Sequence, residues 1–198
     1  MRRMLPIGID IEHEINVLAL KASICRKKIS TALDEFLLEQ DLALEQTVAL
    51  LTKFKKQTAQ NLDIAPYKIT RDAGLAYSWR FGNQMFYDAP YTFVLCHNNL
   101  PISSISFEFE PGAVLVSQIQ GVAGQKEKLA PLKSQRMLLT LVCDWAQENE
   151  IPKARVLPHH KNKWQKVKEH GKTTYDVTAI RCGFEYDKQI EMYVKKLL

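Results

Sequence analysis

Two turn signals divide the middle of the chain into three strand-like runs, and this pattern restricts the fold more than any other feature. The sequence NNLP at 98–101 separates the first two runs, and Pro111-Gly112 separates the last two. All three runs contain the β-branched and aromatic residues that favour strands. They comprise residues 92–97, 102–110 and 113–121. Two tight turns between such runs predict an antiparallel β-meander.

Helical patterns flank the meander on both sides. Hydrophobic residues recur at three- and four-residue steps over residues 12–61, which predicts two or three helices ending before Pro66. An amphipathic helix follows the meander, and its apolar face is formed by Met137, Leu138, Leu141, Val142, Trp145 and Ala146. The later elements are a strand at 154–159, a helix at 175–183 and strands at 184–187 and 191–197.

This order predicts an α/β (α+β) fold with a mixed, mostly antiparallel sheet and packed helices. We divide the chain into a helical N-terminal region, 1–66, and an α/β domain, 67–198. The length of 198 residues and the hydrophobic fraction of 46% suffice for a packed core and exclude wholesale disorder.

The charge of the chain is uneven. Residues 126–198 carry 15 basic and 9 acidic side chains, a local charge of +6, within a chain of net charge +5. A basic C-terminal third predicts an anionic partner for that part of the molecule.

Several classes of protein are excluded by simple features of the sequence. No apolar run approaches the roughly 20 residues that span a bilayer. The N-terminal residues reach Asp10 and Glu12 before an apolar signal segment develops. The four cysteines are widely spaced and form no CxxC pair, so they resemble neither a disulfide framework nor a zinc knuckle. We therefore predict a cytoplasmic protein without a membrane span.

A glycine-containing loop follows the third strand. Gly121 and Gly124 lack side chains, so their backbone amides can approach a ligand closely. Successive amides near a helix N-terminus favour an anion such as a phosphate. A plain surface loop with two glycines is the alternative.

The segment that contains this loop resembles the Q/R-x-x-G-x-G/A pattern of the GNAT superfamily of N-acetyltransferases, with Gln118, Gly121 and Ala123 at the matching positions. The preceding meander, the leucine-rich helix and the following short strand are also similar in order. Residues 179–184 (AIRCGF) resemble the end of the family's late helix, Tyr-x-x-x-Gly-Phe. The resemblance covers about residues 67–198.

The resemblance implies an acyltransferase with acetyl-CoA or another acyl-CoA as the donor. The loop amides would bind the CoA pyrophosphate, and strands 113–120 and 154–159 would separate to admit the pantetheine arm. The implied cofactor-binding residues are Gln118, Ile119, Gln120, Gly121, Val122, Ala123, Gly124 and Asn162.

Two features depart from the family pattern. Residues 125–136, including Pro131, lie between the loop and the helix, so either the helix begins early with a kink or the loop is extended. An extended loop would move the helix dipole away from the phosphate.

Ala179 occupies the position of the usual Tyr that protonates the leaving thiolate. Tyr175 lies one helical turn earlier on roughly the same face and is our candidate for that role.

Transfer to an amine also needs a base within reach of the amine. Four candidates lie near predicted strand ends: Glu108, Glu110, His97 and His159. Their spacing singles out none of them, and we take Glu108 and Glu110 as candidate catalytic residues. They alternate with Phe107 and Phe109, as in a half-buried strand.

Other reactive side chains have simpler interpretations. Adjacent histidines on a strand end point to opposite faces, so His159-His160 is a poor chelating pair and we predict no metal site. Cys143 and Cys182 lack a recognisable His partner and are expected to be packing residues.

The predicted function is transfer of an acyl group, most simply acetyl, from acyl-CoA to an amine of a small-molecule or protein acceptor. One alternative is a non-catalytic binding module for a protein or nucleic acid, which Ala179 favours. Nucleic acid is a less favoured partner for the basic segment 161–172, because a solvated lysine face is commoner. The other alternative is an acyltransferase that uses an acyl carrier protein as the donor. The acceptor and the oligomeric state remain open.

Overall fold

The computed structural model describes residues 34, 36, 41–73, 76–77, 85–162 and 174–198. The helices in these ranges are α1 (Leu44–Phe54), α2 (Lys126–Leu129), α3 (Ser134–Glu148) and α4 (Asp176–Arg181). The strands are β1 (Tyr67–Ala73), β2 (Ala76–Tyr77), β3 (Phe86–Tyr87), β4 (Tyr91–His97), β5 (Leu100–Glu110), β6 (Ala113–Gly121), β7 (Lys153–Val156), β8 (Glu185–Asp187) and β9 (Met192–Lys196).

Seven of these strands form one sheet in the order β1-β4-β5-β6-β7-β9-β8. Neighbouring strands are antiparallel except β6 and β7, which are parallel. The short strands β2 and β3 pair with each other in a separate sheet. The predicted mixed, mostly antiparallel sheet with packed helices is confirmed.

The turns of the meander explain its antiparallel pairing. Asn98 and Asn99 have φ values of 50° and 63°, which is the geometry of a two-residue hairpin turn with both central residues left-handed. Gly112 has a φ of 70° in the second turn. Pro101 is already part of β5, opposite Cys96, so the predicted strand 102–110 begins two residues earlier than expected.

Other predicted boundaries need correction. The prediction of helix up to residue 61 is wrong, because α1 ends at Phe54 and Lys55 is extended with ψ at 149°. A 3₁₀ turn covers Gln57–Ala59. The sequence patterns did not predict a separate strand at the position of β1. The predicted strand 154–159 ends at Val156, and His159–Lys161 forms another 3₁₀ turn after Pro158.

The main hydrophobic core joins the helices to one face of the sheet. Within it, Phe36 is almost fully buried and meets four aromatic rings edge-on at centroid distances of 5.1–5.8 Å. Those four rings belong to Tyr91, Phe93, Phe107 and Trp145. The predicted core position of Trp145 agrees with its burial.

A smaller apolar cluster covers the other face of β4. Val94 and Cys96 alternate with the core residues of that strand and pack with Met85 and Tyr87. The segment that contains Met85 and Tyr87 therefore covers the sheet face opposite the main core.

The described part of the N-terminal region shares the core of the sheet. Leu42 N–H donates to the Ile69 carbonyl at 2.9 Å, and Leu50, Leu51 and Phe54 of α1 are buried in the main core. The boundary at residue 66 remains a prediction. None of the helices in the described ranges combines the length and apolar character that crossing a bilayer requires.

Replacing Phe36 by Ala should lower the free energy of unfolding by about 3–5 kcal/mol, because truncation leaves a cavity among four rings. Urea unfolding measures this change. Leu44→Ala is the matched control: Leu44 is 75% exposed, and its truncation should change the free energy by at most about 0.5 kcal/mol. Equal effects of the two substitutions would contradict the central position of Phe36.

Candidate active site

Pairing between β6 and β7 stops partway along β6. Val116 and Val156 form the last register pair, and Leu157 N–H donates to the Val116 carbonyl at 2.9 Å. Strand β6 continues to Gly121, and among the strands that the structure describes only β5 pairs with this part of it. The pairing therefore stops where the resemblance predicts that the two strands separate.

A β-bulge at Ser117 determines which backbone groups face this open edge. Gln118 pairs with Ser106 and Val116 pairs with Phe107, so Ser117 has no register partner in β5. An extra residue shifts the alternation of the strand by one position. As a result, the Ser117 carbonyl and the Ile119 N–H point away from β5 and bond elsewhere.

Tyr175 and Asn162 bind these two groups. The Ile119 N–H donates to the Tyr175 hydroxyl at 3.2 Å, and Asn162 Nδ2 donates to the Ser117 carbonyl at 3.2 Å. Both side chains are buried. The structure thus brings three predicted residues together at the open edge of β6.

The environment of Tyr175 keeps its hydroxyl protonated. Burial raises the pKa of Tyr175 above its ordinary value of 10.0, and the negative charge of Asp88 raises it further. Hydrogen bonds from Ile119 and Asn162 act in the opposite direction and are outweighed. A protonated phenol beside the strand edge is able to donate a proton to a leaving group.

Ala179 lies one turn further along α4 and is fully buried. Its N–H donates to the Tyr175 carbonyl at 2.9 Å, which places Tyr175 at the N-terminal end of the helix. The hydroxyl predicted to replace the missing family Tyr therefore reaches the β6 edge.

The side chains of Gln118 and Gln120 lie on the sheet face rather than in the loop. Gln118 Oε1 accepts from Ser106 Oγ and from the Asp88 N–H, both at 3.2 Å. Gln118 Nε2 donates to Gln120 Oε1 at 3.3 Å. Both glutamines stay predicted cofactor-binding residues, and their side-chain contacts are with the protein.

The rest of the loop forms a close turn after β6. Val122 N–H bonds to the Ile102 carbonyl at 2.9 Å, and Gln125 N–H to the Val122 carbonyl at 3.2 Å. Gly124 has a φ of 78°, which favours glycine. A Cβ atom on Gly121 would lie 3.2 Å from Leu129 Cδ1, so this glycine allows α2 to pack against the strand end.

The segment between the loop and α3 is neither one early helix with a kink nor an extended loop. The single turn α2 follows the loop, the chain breaks at Pro131, and α3 begins at Ser134, ten residues beyond Gly124. Backbone bonds to the N-terminal region hold this break: Lys56 N–H to the Pro131 carbonyl at 2.8 Å, and Lys133 N–H to the Phe54 carbonyl at 2.9 Å.

The structure does not bring Glu108 and Glu110 beside Tyr175. Glu108 pairs with Leu115, four residues before Ile119, which is about 13 Å along the strand at ~3.3 Å per residue. Glu110 forms an ion pair with Arg155. Both glutamates lie at the opposite end of β6, and their role as catalytic bases stays a prediction.

The contacts of the two histidine candidates are with other residues. The His97 ring packs edge-on against Tyr67 at 4.8 Å, and the His159 N–H bonds to Asp176 Oδ1 at 2.9 Å. Within the described ranges, no group of three or more His, Cys, Asp or Glu side chains has the arrangement of a metal site. Residues 163–172 of the basic segment lie outside the described residues.

The expectation that the cysteines are packing residues agrees with the surroundings of Cys143. Burial raises the pKa of the Cys143 thiol to about 12, which leaves almost no thiolate at neutral pH. Burial also raises the pKa of Cys182.

Sequence reasoning missed a row of polar side chains that crosses four strands. Asp72, Thr92, Ser106 and Gln118 are successive register partners from β1 to β6. The sequence feature that could have revealed this row is the presence of hydroxyl residues at alternate strand positions. Asp88, which contacts the end of this row through its backbone, belongs to no recognisable motif.

Comparisons with known proteins find likeness in structure alone. No protein-family model and no curated protein matches the sequence. A GNAT family N-acetyltransferase (YhbS) from Escherichia coli in complex with CoA is 12% identical, with a TM-score of 0.38, and the match covers 55% of this chain and 59% of that one. This chain therefore matches less than two thirds of that protein's length.

Two further solved structures have similar values. An acetyltransferase of the GNAT family from Staphylococcus aureus Mu50 is 11% identical, with a TM-score of 0.40 and coverage of 55% and 68%. N-acetylglutamate synthase from Neisseria gonorrhoeae, complexed with coenzyme A and N-acetyl-glutamate, is 13% identical, with a TM-score of 0.38 and coverage of 54% and 26%. These matches describe a likeness over about half of the chain.

Tyr175→Phe should lower the free energy of unfolding by about 1–3 kcal/mol, because the buried Ile119 N–H loses its acceptor. Tyr186→Phe serves as the control, since Tyr186 is 40% exposed. Urea unfolding of the two variants should separate them by at least about 1 kcal/mol. Similar stabilities would show that the Tyr175 hydroxyl does not satisfy a buried group.

Proposed function

We propose that the protein is an acyltransferase that moves an acyl group, most simply acetyl, from acyl-CoA to an amine. The observation that carries the proposal is the open edge of β6 beyond Val116, with the protonated Tyr175 hydroxyl at Ile119. A strand edge without a neighbouring strand can accept an extended ligand that bears amide groups, and the pantetheine arm of CoA is such a ligand.

The donor would extend from this edge to the loop. Of the loop amides at 121–124, the Val122 N–H is already bonded to the Ile102 carbonyl, and the others would bind the pyrophosphate, since amides in a tight turn attract anions. Lys126 and Lys128 on α2 add positive charge next to the loop. The N-terminus of α3 lies too far along the chain to be assigned this role.

Tyr175 would act as the general acid. The neutral amine attacks the thioester carbonyl carbon, the C–S bond breaks, and the sulfur leaves as a thiolate. The thiolate takes the proton of Tyr175, and the amide nitrogen gives its surplus proton back to the phenolate. A raised pKa suits this role, because the phenol is fully protonated before the reaction.

Asn162 would position the acid. Its amide bonds to the Ser117 carbonyl, and a further side-chain hydrogen bond links it to the Tyr175 hydroxyl. The binding-module alternative rested on Ala179 in place of the family Tyr. In the proposal, the Tyr175 hydroxyl would take the place of the group whose absence motivated that alternative.

Acetyl-CoA at millimolar concentration should raise the thermal midpoint of the protein. Binding at 100 times Kd stabilises the folded state by about 2.7 kcal/mol, which corresponds to several degrees for a chain of this size. Gly121→Glu should abolish the shift, because the added carboxylate lies at the loop and repels the pyrophosphate. Differential scanning fluorimetry gives the measurement.

Gln189→Glu is the matched control, because it adds the same charge at an exposed turn between β8 and β9. This variant should keep the wild-type shift. Circular dichroism should confirm that Gly121→Glu is folded, since its side chain displaces Leu129. No shift in the wild type, with all three proteins behaving alike, would overturn donor binding.

A further inference from the structure

We infer that an acyl carrier protein docks on a basic surface beside the loop and delivers the acyl group on its phosphopantetheine arm. This inference rests on the proposed acyl transfer and specifies its donor. The basic surface, which we call the lysine surface, consists of Lys53, Lys55, Lys56, Lys126, Lys128 and Lys133.

Two segments that are distant in the sequence form the lysine surface. The Lys56 N–H donates to the Pro131 carbonyl at 2.8 Å, and the Lys133 N–H donates to the Phe54 carbonyl at 2.9 Å. An isolated β-bridge pairs the same two segments. These backbone bonds bring the lysines at the end of α1 together with those between the loop and α3. The uneven charge of the sequence did not reveal this surface, because half of its lysines belong to the N-terminal region.

The lysine surface is strongly positive and accessible. Residues 53–56 and 126–133 contain six lysines and one acid, Glu127, which gives a local charge of +5. Five of the six lysines are exposed; the exception is Lys55, which is half-buried and donates to the Gln60 carbonyl at 3.1 Å. Within the described ranges, none of the five exposed lysines forms an ion pair. Because like charges held together repel one another, binding of an anionic partner is favoured.

The lysine surface lies next to the loop that would bind the phosphate of the donor. A Cβ atom on Gly121 would lie 3.2 Å from Leu129 Cδ1, so α2 packs against the end of β6. The Tyr67 hydroxyl donates to the Lys128 carbonyl at 3.0 Å and holds α2 near β1. In the proposed function, the thioester lies near Ile119 and the pantetheine arm runs along β6 toward Gly121. The group attached beyond the phosphate would therefore face the lysine surface.

The loop suits a single phosphodiester better than a pyrophosphate. The Val122 N–H is bonded to the Ile102 carbonyl at 2.9 Å, so the series of loop amides is interrupted. Helix α3 begins at Ser134, ten residues beyond Gly124, so its N-terminus does not continue the loop. CoA carries a pyrophosphate and a further phosphate, whereas the arm of a carrier protein is attached through one phosphodiester. Few donors in the loop and many cations beyond it fit the carrier protein.

The composition of the lysine surface favours a protein partner over a nucleic acid. Its two segments contain no arginine, and their one aromatic residue, Phe54, is buried. The surface therefore offers neither bidentate guanidinium contacts nor stacking on a base. An acyl carrier protein is small and acidic, and complementary charge brings such a partner to the surface and orients it.

The transfer step keeps the chemistry of the proposed function. The nitrogen of the neutral amine forms a bond to the thioester carbonyl carbon, and the C–S bond breaks. The phosphopantetheine sulfur takes the proton of Tyr175, and the nitrogen gives its surplus proton to the phenolate. The products are an amide and the carrier protein with a free thiol.

The test measures the binding of three ligands by isothermal titration calorimetry. They are an acyl carrier protein with the acetylated arm, the same carrier without the arm, and acetyl-CoA, each in about 100 mM salt. We expect the acetylated carrier to bind at least about tenfold more tightly than either of the others, because only this ligand combines the docking surface with the arm.

Charge reversal tests the lysine surface directly. Lys56→Glu combined with Lys133→Glu should weaken binding of the acetylated carrier at least about tenfold, because attraction becomes repulsion. The Kd of acetyl-CoA should stay within about threefold, since both positions lie beyond α2 and surface charges are screened over about 10 Å. Lys188→Glu combined with Lys196→Glu is the matched control: both lysines are exposed near β9, which β7 separates from β6, and this variant should keep the wild-type affinity.

Circular dichroism should show that both double variants are folded. If the first is not, Lys56→Gln combined with Lys133→Gln removes the two charges without reversing them and should weaken carrier binding in the same direction. Carrier binding that no variant changes would overturn the lysine surface as the docking site.

The other outcomes separate the inference from the proposed function. Absence of binding by both acetyl-CoA and the acetylated carrier overturns the two together. Binding of acetyl-CoA without binding of the carrier, or equal binding of the carrier with and without its arm, overturns the donor inference alone. Carrier binding without acetyl-CoA binding supports the inference and removes acyl-CoA as the donor. Tighter binding of a short RNA duplex than of the carrier overturns the carrier as the occupant of this surface.

Discussion

Backbone polar groups on the open edge of β6 have to be satisfied, and the arrangement of the site follows from this constraint. An unpaired buried N–H costs about 1–3 kcal/mol, so a strand cannot simply lose its neighbour inside a protein. Beyond Val116, the chain that follows β7 supplies side chains instead of backbone: Asn162 for the Ser117 carbonyl and Tyr175 for the Ile119 N–H. The same requirement therefore places the proposed acid and its positioning residue.

The N-terminal region has a structural connection to the loop. Phe36 lies at the centre of the aromatic core, and the end of α1 pairs with residues 131–133 through an isolated bridge between Lys55 and Leu132. This pairing accounts for the extra residues between the loop and α3, because the chain has to reach α1 before it can begin the helix. Changes in the N-terminal region should therefore reach the proposed pyrophosphate loop through this short segment.

Local sequence signals predicted the meander well, because Asn98-Asn99 and Gly112 determine turns by their own backbone preferences. The bulge at Ser117 was not predictable, since it arises from the register between two strands. Asp88 and Gln118 are 30 residues apart, and no local pattern records such a contact. Strand β1 carries Lys68 and Arg71 among its apolar residues, which obscured its alternation. For Tyr175, the sequence predicted only that it lies one helical turn before Ala179.

Adjacent residues of β6 make different kinds of contact because the edge and the face of a strand are perpendicular. Backbone groups of β6 point along the sheet, toward Tyr175 and Asn162, whereas its side chains point to the faces. Gln118 contributes its side chain to the face where Asp88 lies, and the next residue, Ile119, contributes its N–H to the edge. A shift of β6 by one residue would turn the Gln118 side chain to the opposite face and the Ile119 N–H toward β5, so the bulge that sets the register also determines what Tyr175 and Asn162 can bind.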